Sequence, residues 1–229
     1  SLKWATQTSS RPWWWLLSEG FVDGEKIWRD VDAIREKYVE EGFLDAEVSR
    51  RLAFSPDKKD VRLTFVIREN QRYRVNEILF RGNRVFSDAQ LIRRLQLSTG
   101  DFAQGLAIER DVERVRDTYG ELGYVEARVG LTRQYVSPEA PLPQWAQEVE
   151  GPSPALVNLV FDVEEGSQYR VGRVDIRPKS AYRFGDSLTQ TRVVRREVTL
   201  RPGDLFNTKG AEVSRQRLLD SRLFSKATI

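Results

Sequence analysis

Apolar residues along the chain follow two rhythms in turn. Ile27, Val31, Ile34 and Tyr38 step by 4, 3 and 4, and Ile108, Val112, Val115, Tyr119 and Leu122 by 4, 3, 4 and 3, the spacing of a stripe down one face of an α-helix. Each stripe runs out at a glycine, Gly42 or Gly123, where a helix C-terminus takes up a left-handed residue. Past the glycines the period becomes two: Leu63, Phe65 and Ile67 alternate, as do Leu159, Phe161 and Val163, and predict strands. The pattern is a helix followed by a hairpin, written twice.

The repetition extends to residue identity. Arg29 to Val48 reads RDVDAIREKYVEEGFLDAEV and Arg110 to Val129 reads RDVERVRDTYGELGYVEARV, identical at nine of twenty positions, among them Tyr38/Tyr119, Gly42/Gly123 and Ala46/Ala127. Downstream, RLTFVIRENQRYRV from Arg62 answers NLVFDVEEGSQYRV from Asn158. The second hairpin carries 15 extra residues, within about 136–154, whose prolines predict an irregular loop. After each hairpin Tyr-Arg-Val opens another apolar segment, YRVNEILFRGN from Tyr73 and YRVGRVDIRPK from Tyr169, with a slip of parity near Asn76 and Gly172 that predicts a bulge or bend. Gly82-Asn83 supplies a turn, and Ser87-x-x-Gln90 is a capping box starting a helix that carries Leu91, Ile92 and Leu95 and closes at Gly100. VVRREVTLRPGDLF from Val193 repeats LIRRLQLSTGDF from Leu91.

The unit is therefore strand, helix, helix, strand, strand. The fold class is α+β: tandem small modules, each a three-stranded mixed sheet with two helices on one face. Residues 1–71 form a module lacking its first strand, 72–168 a complete module with the proline-rich hairpin insertion, and 169–229 a module truncated before its hairpin.

Composition narrows the chemistry. There is no Cys and no His, which removes disulfides, thiolate nucleophiles, the commonest general base and the usual transition-metal ligands. No catalytic residue, metal or cofactor is expected, and the chain is expected not to be an enzyme. The net charge is only +3, with arginines interleaved among acidic residues, so nucleic acid is not an expected partner. No apolar run reaches the roughly 18 residues that a membrane-spanning helix needs. The carboxylate pairs Glu40/Glu41, Asp111/Glu113 and Glu164/Glu165 flank helix and hairpin ends and are expected to be solvated surface.

The helix-to-strand signatures YVEEGFLDAEV and YGELGYVEARV, the signatures EGSQYRV and ENQRYRV, and FRGNRVFS, all in tandem, make the chain resemble the POTRA (polypeptide-transport-associated) domains of the BamA family. That family inserts β-barrel proteins into outer membranes. Two departures are Asn70, where the family usually has Gly, and Arg177-Pro178-Lys179 in place of a Gly-Asn turn. The resemblance implies a periplasmic part of an outer-membrane protein, with a membrane β-barrel C-terminal to this segment. Its implied partners are unfolded outer-membrane β-barrel proteins and accessory assembly subunits. An alternative within the same resemblance is substrate recognition for a two-partner secretion or translocation pore.

In this connectivity the last strand of a unit is expected to be central and the middle one an edge, open to an added strand. The expected peptide-binding residues are Ala127, Arg128, Val129, Gly130, Leu131, Thr132 and Arg133, with Val48, Ser49, Arg50 and Arg51 in the first copy. Tyr73, Val75, Tyr169 and Val171 are expected at module junctions, the tyrosine rings buried there. Trp13, Trp14 and Trp15 cannot all enter one core, since neighbours diverge on helix or strand, and are candidates for packing against another element or for contact with a partner or a membrane interface.

Overall fold

A computed structural model describes residues 24–57, 60–148, 153–176, 194–221 and 226–228. Trp13, Trp14, Trp15 and the Arg177–Lys179 turn lie outside them. Both apolar stripes are helices: α1 (Gly24–Glu40) buries Val31 and Ile34, and its counterpart (Gly105–Glu121) buries Ala107, Ile108, Val115 and Tyr119. Both stop in the same way. Gly42 at φ 98° and Gly123 at φ 89° turn the chain left-handed, so the Gly42 N–H reaches Val39 O at 3.1 Å and the Phe43 N–H reaches Tyr38 O at 3.0 Å. At the second site the Gly123 N–H reaches Gly120 O at 3.2 Å and the Tyr124 N–H reaches Tyr119 O at 3.1 Å. The pattern is a Schellman cap, completed by edge-on ring pairs Tyr38–Phe43 and Tyr119–Tyr124.

Strands β1 (Glu47–Phe54) and β2 (Val61–Arg68) follow α1 as an antiparallel pair, with Glu47 opposite Arg68 and Phe54 opposite Val61. The next elements are β3 (Tyr73–Arg81), the short α2 (Asp88–Ile92), α3 (Gly105–Glu121), β4 (Arg128–Tyr135), the short α4 (Gln144–Gln147) in the proline-rich insertion, and β5 (Ala155–Glu164). They build a three-stranded sheet in the order β3-β5-β4. β5 is central, and its Leu156, Val157, Leu159, Val160, Phe161 and Val163 are all buried, with Asn158 and Asp162 half-buried between them. Phe161 stacks on Phe80 of β3 at 5.1 Å. α5 (Thr208–Asp220) lies in the third copy, after a helical turn at 194–197. The described chain gathers into two compact units, one of residues up to 79 with 96–111 and 133–160, the other of 80–95, 112–132 and the residues from 161.

Two local expectations need correction. The helix starting at Ser87 keeps the reach-back bond of its capping box, Ser87 N–H to Gln90 Oε1 at 2.9 Å, but ends at Ile92 and not beyond Leu95. The cause is Asp111. This carboxylate, placed above among solvated pairs, has no exposure and accepts the N–H groups of Gln96 at 2.6 Å and Leu97 at 2.9 Å, turning those donors out of any helix. Ser214 holds the corresponding place in the third copy, where its Oγ accepts the Thr199 N–H at 2.9 Å and is also fully buried. Asn70 supplies the left-handed conformation a glycine would otherwise give, at φ 55°, and its Nδ2 donates to Asp45 O at 2.8 Å.

Candidate functional site

Among the described residues β4 lies at the edge of its sheet, with β5 on one side only. Its side chains alternate in exposure: Val129 and Leu131 are half-buried, while Arg128, Gly130, Thr132 and Arg133 are exposed. The Val136 N–H donates to Leu156 O at 2.9 Å at the foot of the hairpin. Counting back by twos, the N–H groups of Gln134 and Thr132 face β5 and those of Arg133, Leu131 and Val129 face outward. The sheet's outer surface carries a polar row, Thr132 Oγ1 donating to Asp162 Oδ2 at 2.9 Å and Arg81 lying 4.0 Å from the same carboxylate. Ala127, grouped above with this edge, stands apart from it: its side chain is buried and its N–H is taken by Tyr124 O at 3.1 Å. In the first copy Val48, Ser49, Arg50 and Arg51 lie on β1, paired with β2 alone among the described residues, and the Arg50 guanidinium sits 4.3 Å from the centre of the Trp28 ring.

The two Tyr-Arg-Val segments make the same joint twice. The Tyr73 N–H donates to Gly42 O at 2.9 Å, and the Tyr169 N–H to Gly123 O at 2.8 Å. Val75 exchanges bonds with the turn before α3, its N–H to Asp101 O at 2.9 Å and its O from Gly100 N–H at 2.8 Å; Val171 does the same with Asp204 O at 2.9 Å and Gly203 N–H at 2.7 Å. Tyr73 O accepts from Ala103 at 3.0 Å and Tyr169 O from Phe206 at 3.0 Å. Arg74 Nη1 donates to Gly100 O at 2.6 Å and Arg170 Nη1 to Gly203 O at 3.0 Å. Val75 and Val171 are buried at these places.

Side chains distinguish the joints. Tyr73 is half-buried, its ring 4.8 Å from that of Tyr135 and its hydroxyl donating to Asp45 Oδ2 at 3.1 Å; burial first, then Asp45, pushes the phenol up to about 12. Tyr169 is 41 % exposed, which corrects the expectation of a buried ring. Among the described residues no ring packs on it as Tyr135 packs on Tyr73, and the Glu126 carboxylate, as its hydrogen-bond acceptor, raises its phenol. Phe102 is further held in the first joint, with the Arg72 and Arg74 guanidinium carbons 3.5 and 4.1 Å from its ring centre.

The helices meet the joints through an exchange of sizes. A Cβ on Gly105, at the start of α3, would overlap Val39 Cγ1 near the end of α1. At the second joint the roles reverse: a Cβ on Gly120, near the end of α3, would overlap Thr208 Oγ1 at the start of α5. One partner of each pair must be glycine, on opposite sides of the two contacts.

The repeated tyrosines tie each helix end to its hairpin. Tyr38 Oη donates to Glu69 Oε1 at 3.0 Å and Tyr119 Oη to Glu165 Oε1 at 3.0 Å. Glu165 also accepts the N–H groups of Arg84 at 2.6 Å and Val85 at 2.8 Å, so this carboxylate, expected in solvent, is a structural acceptor. Burial, and after it Glu165, raises the Tyr119 phenol. Among the described residues no cluster of acidic side chains is arranged to hold a metal ion.

Residues 15–70 and 73–166 match the model of the POTRA family, described as a surface antigen variable number repeat. The outer membrane protein assembly factor BamA of Buchnera aphidicola is 26 % identical over 219 residues, covering 95 % of this chain and 32 % of that protein. The protein of the same name from Nitratidesulfovibrio vulgaris is 23 % identical over 218 residues, covering 93 % of this chain and 24 % of its own. The chain thus spans a third or less of the length of these curated relatives. Among solved structures, BamA POTRA3-5 of Haemophilus influenzae superimposes with a TM-score of 0.60 at 19 % identity, covering 90 % of this chain and 73 % of that one, a likeness of fold.

Proposed function

The chain belongs to the POTRA family, and from that membership we propose that it is a scaffold of outer-membrane protein assembly, docking unfolded barrel proteins or accessory subunits by strand addition and passing them to a C-terminal membrane β-barrel. It is a periplasmic part of an outer-membrane protein and works by binding, without catalysis. The observation that carries the reading is the edge of β4, open among the described residues, where counting from the Val136–Leu156 bond turns the N–H groups of Val129, Leu131 and Arg133 away from β5. Backbone pairing reads little of the guest's sequence, which suits a receptor for many extended clients. Arg128 and Arg133, both exposed, flank the edge and attract acidic side chains, an attraction that salt weakens. The names of the relatives favour assembly over secretion as the task.

Arg133 gives a clean test because its side chain is exposed and its N–H faces outward. Arg133→Pro removes that donor; Arg133→Ala removes the charge and keeps the donor. With a synthetic peptide of barrel-strand sequence, the Pro variant should bind about fivefold more weakly than the Ala variant, the worth of one backbone hydrogen bond. Circular dichroism establishes first that both fold. Equal affinities, or peptide-induced amide shifts confined to α3, would remove strand addition at β4.

A further inference from the structure

We infer that the proline-rich insertion is a brace that stiffens the first joint, with Trp145 as the residue that does so. The described part of the insertion, residues 136–148, is itself held in shape: its foot is closed by the Val136–Leu156 bond, Gln147 Nε2 donates to Leu142 O at 2.7 Å, and the Ala146 N–H reaches Pro143 O at 2.9 Å. Ala146 is buried, with 3 % exposure. The adjacent Trp145 places its six-membered ring over Gly100, with Cε3, Cζ3 and Cδ2 at 3.6, 3.8 and 4.0 Å from the position a Cβ would occupy. Gly100, at φ 92°, sits in the turn that the joint closes. Its N–H and O hold Val75 and Arg74 respectively, so an indole lying over it screens both bonds from water and opposes the opening of the turn.

The second joint supplies the comparison. Gly203 occupies the place of Gly100, with the same bonds to Val171 and Arg170, yet among the described residues nothing lies within 4 Å of its would-be Cβ. The backbone of the two joints is alike, and the cover differs.

Amide hydrogen exchange on the whole chain reads both joints at once. In Trp145→Ala the amides of Val75, Gly100 and Ala103 should exchange on the order of tenfold faster, while those of Val171, Gly203 and Phe206, and of Leu159 and Phe161 within β5, stay within about twofold of the parent. Unchanged joint amides overturn the brace. So does an equal acceleration at Leu159 and Phe161, since Trp145 would then be serving the sheet as a whole and not the joint. Should Trp145→Ala fail to fold, Trp145→Phe, which shortens the ring, and Gln147→Ala, which frees the Leu142 carbonyl, are judged by the same comparison.

Discussion

Tyr119 has no exposed surface, yet its hydroxyl ends on a carboxylate, and Tyr73 repeats the arrangement with Asp45 at the first joint. Both phenols are pushed up by burial and by the carboxylate that accepts from them, Tyr73 to about 12. A phenol raised in the folded state binds its proton more tightly there than in the unfolded chain. Its contribution is therefore complete below the unfolded value near 10 and is lost as pH rises through the folded one. Urea midpoints should hold level to about pH 9 and fall from pH 10 to 12; Tyr119→Phe should be weaker at neutral pH by about 1–2 kcal/mol and fall less steeply in alkali. A variant whose alkaline slope matches the parent's would show that Tyr119 does not titrate with unfolding. Tyr119 was legible as a structural residue because it stood on a helix stripe, and Tyr73 because it opened the repeated Tyr-Arg-Val segment. Asp111 was not: a carboxylate beside an apolar stripe reads as solvated until the two loop N–H groups it accepts are known, and those come from residues 14 and 15 positions earlier.

The two long helices, their stops at Gly42 and Gly123 and the strands after them could be read from the order of residues, because each rests on local spacing: stripes of 3 and 4, a left-handed C-cap, alternation by two. The order β3-β5-β4 followed from the connectivity of the unit as a whole. Contacts between elements far apart in sequence left no such trace. Nothing near Gly105 or Gly120 announces that Val39 and Thr208 will press on them, and nothing in the insertion announces where Trp145 lands. The size exchange is open to a double-mutant cycle. Gly120→Val should cost about 1–3 kcal/mol by overlap with Thr208, and adding Thr208→Gly should return much of it. Costs that simply add would mean that the two residues do not press on each other.

Each of the two compact units contains one joint in full, Val75 with its turn in the first and Val171 with its turn in the second. Val75→Ala and Val171→Ala should each lower stability by about 2 kcal/mol, from lost burial and the space left behind. If the units are energetically separate, the double variant should equal the sum to within about 0.5 kcal/mol. A coupling well above that value in chemical denaturation would mean that they melt as one. The exchange of sizes at the helix contacts carries a consequence for how such an array can change over generations. The backbone plug and socket are the same at both joints, so duplication or loss of a middle module would still let Tyr-Arg-Val find its turn. The side chains are keyed differently. A second copy of the middle module placed directly after the first would bring Gly120 against Gly105 and leave a hollow, whereas excising it would drive Val39 into Thr208 and overfill the seam. The order of the modules is thus written into which helix end carries the glycine, and a reshuffled arm would have to mutate at that seam before it could pack again.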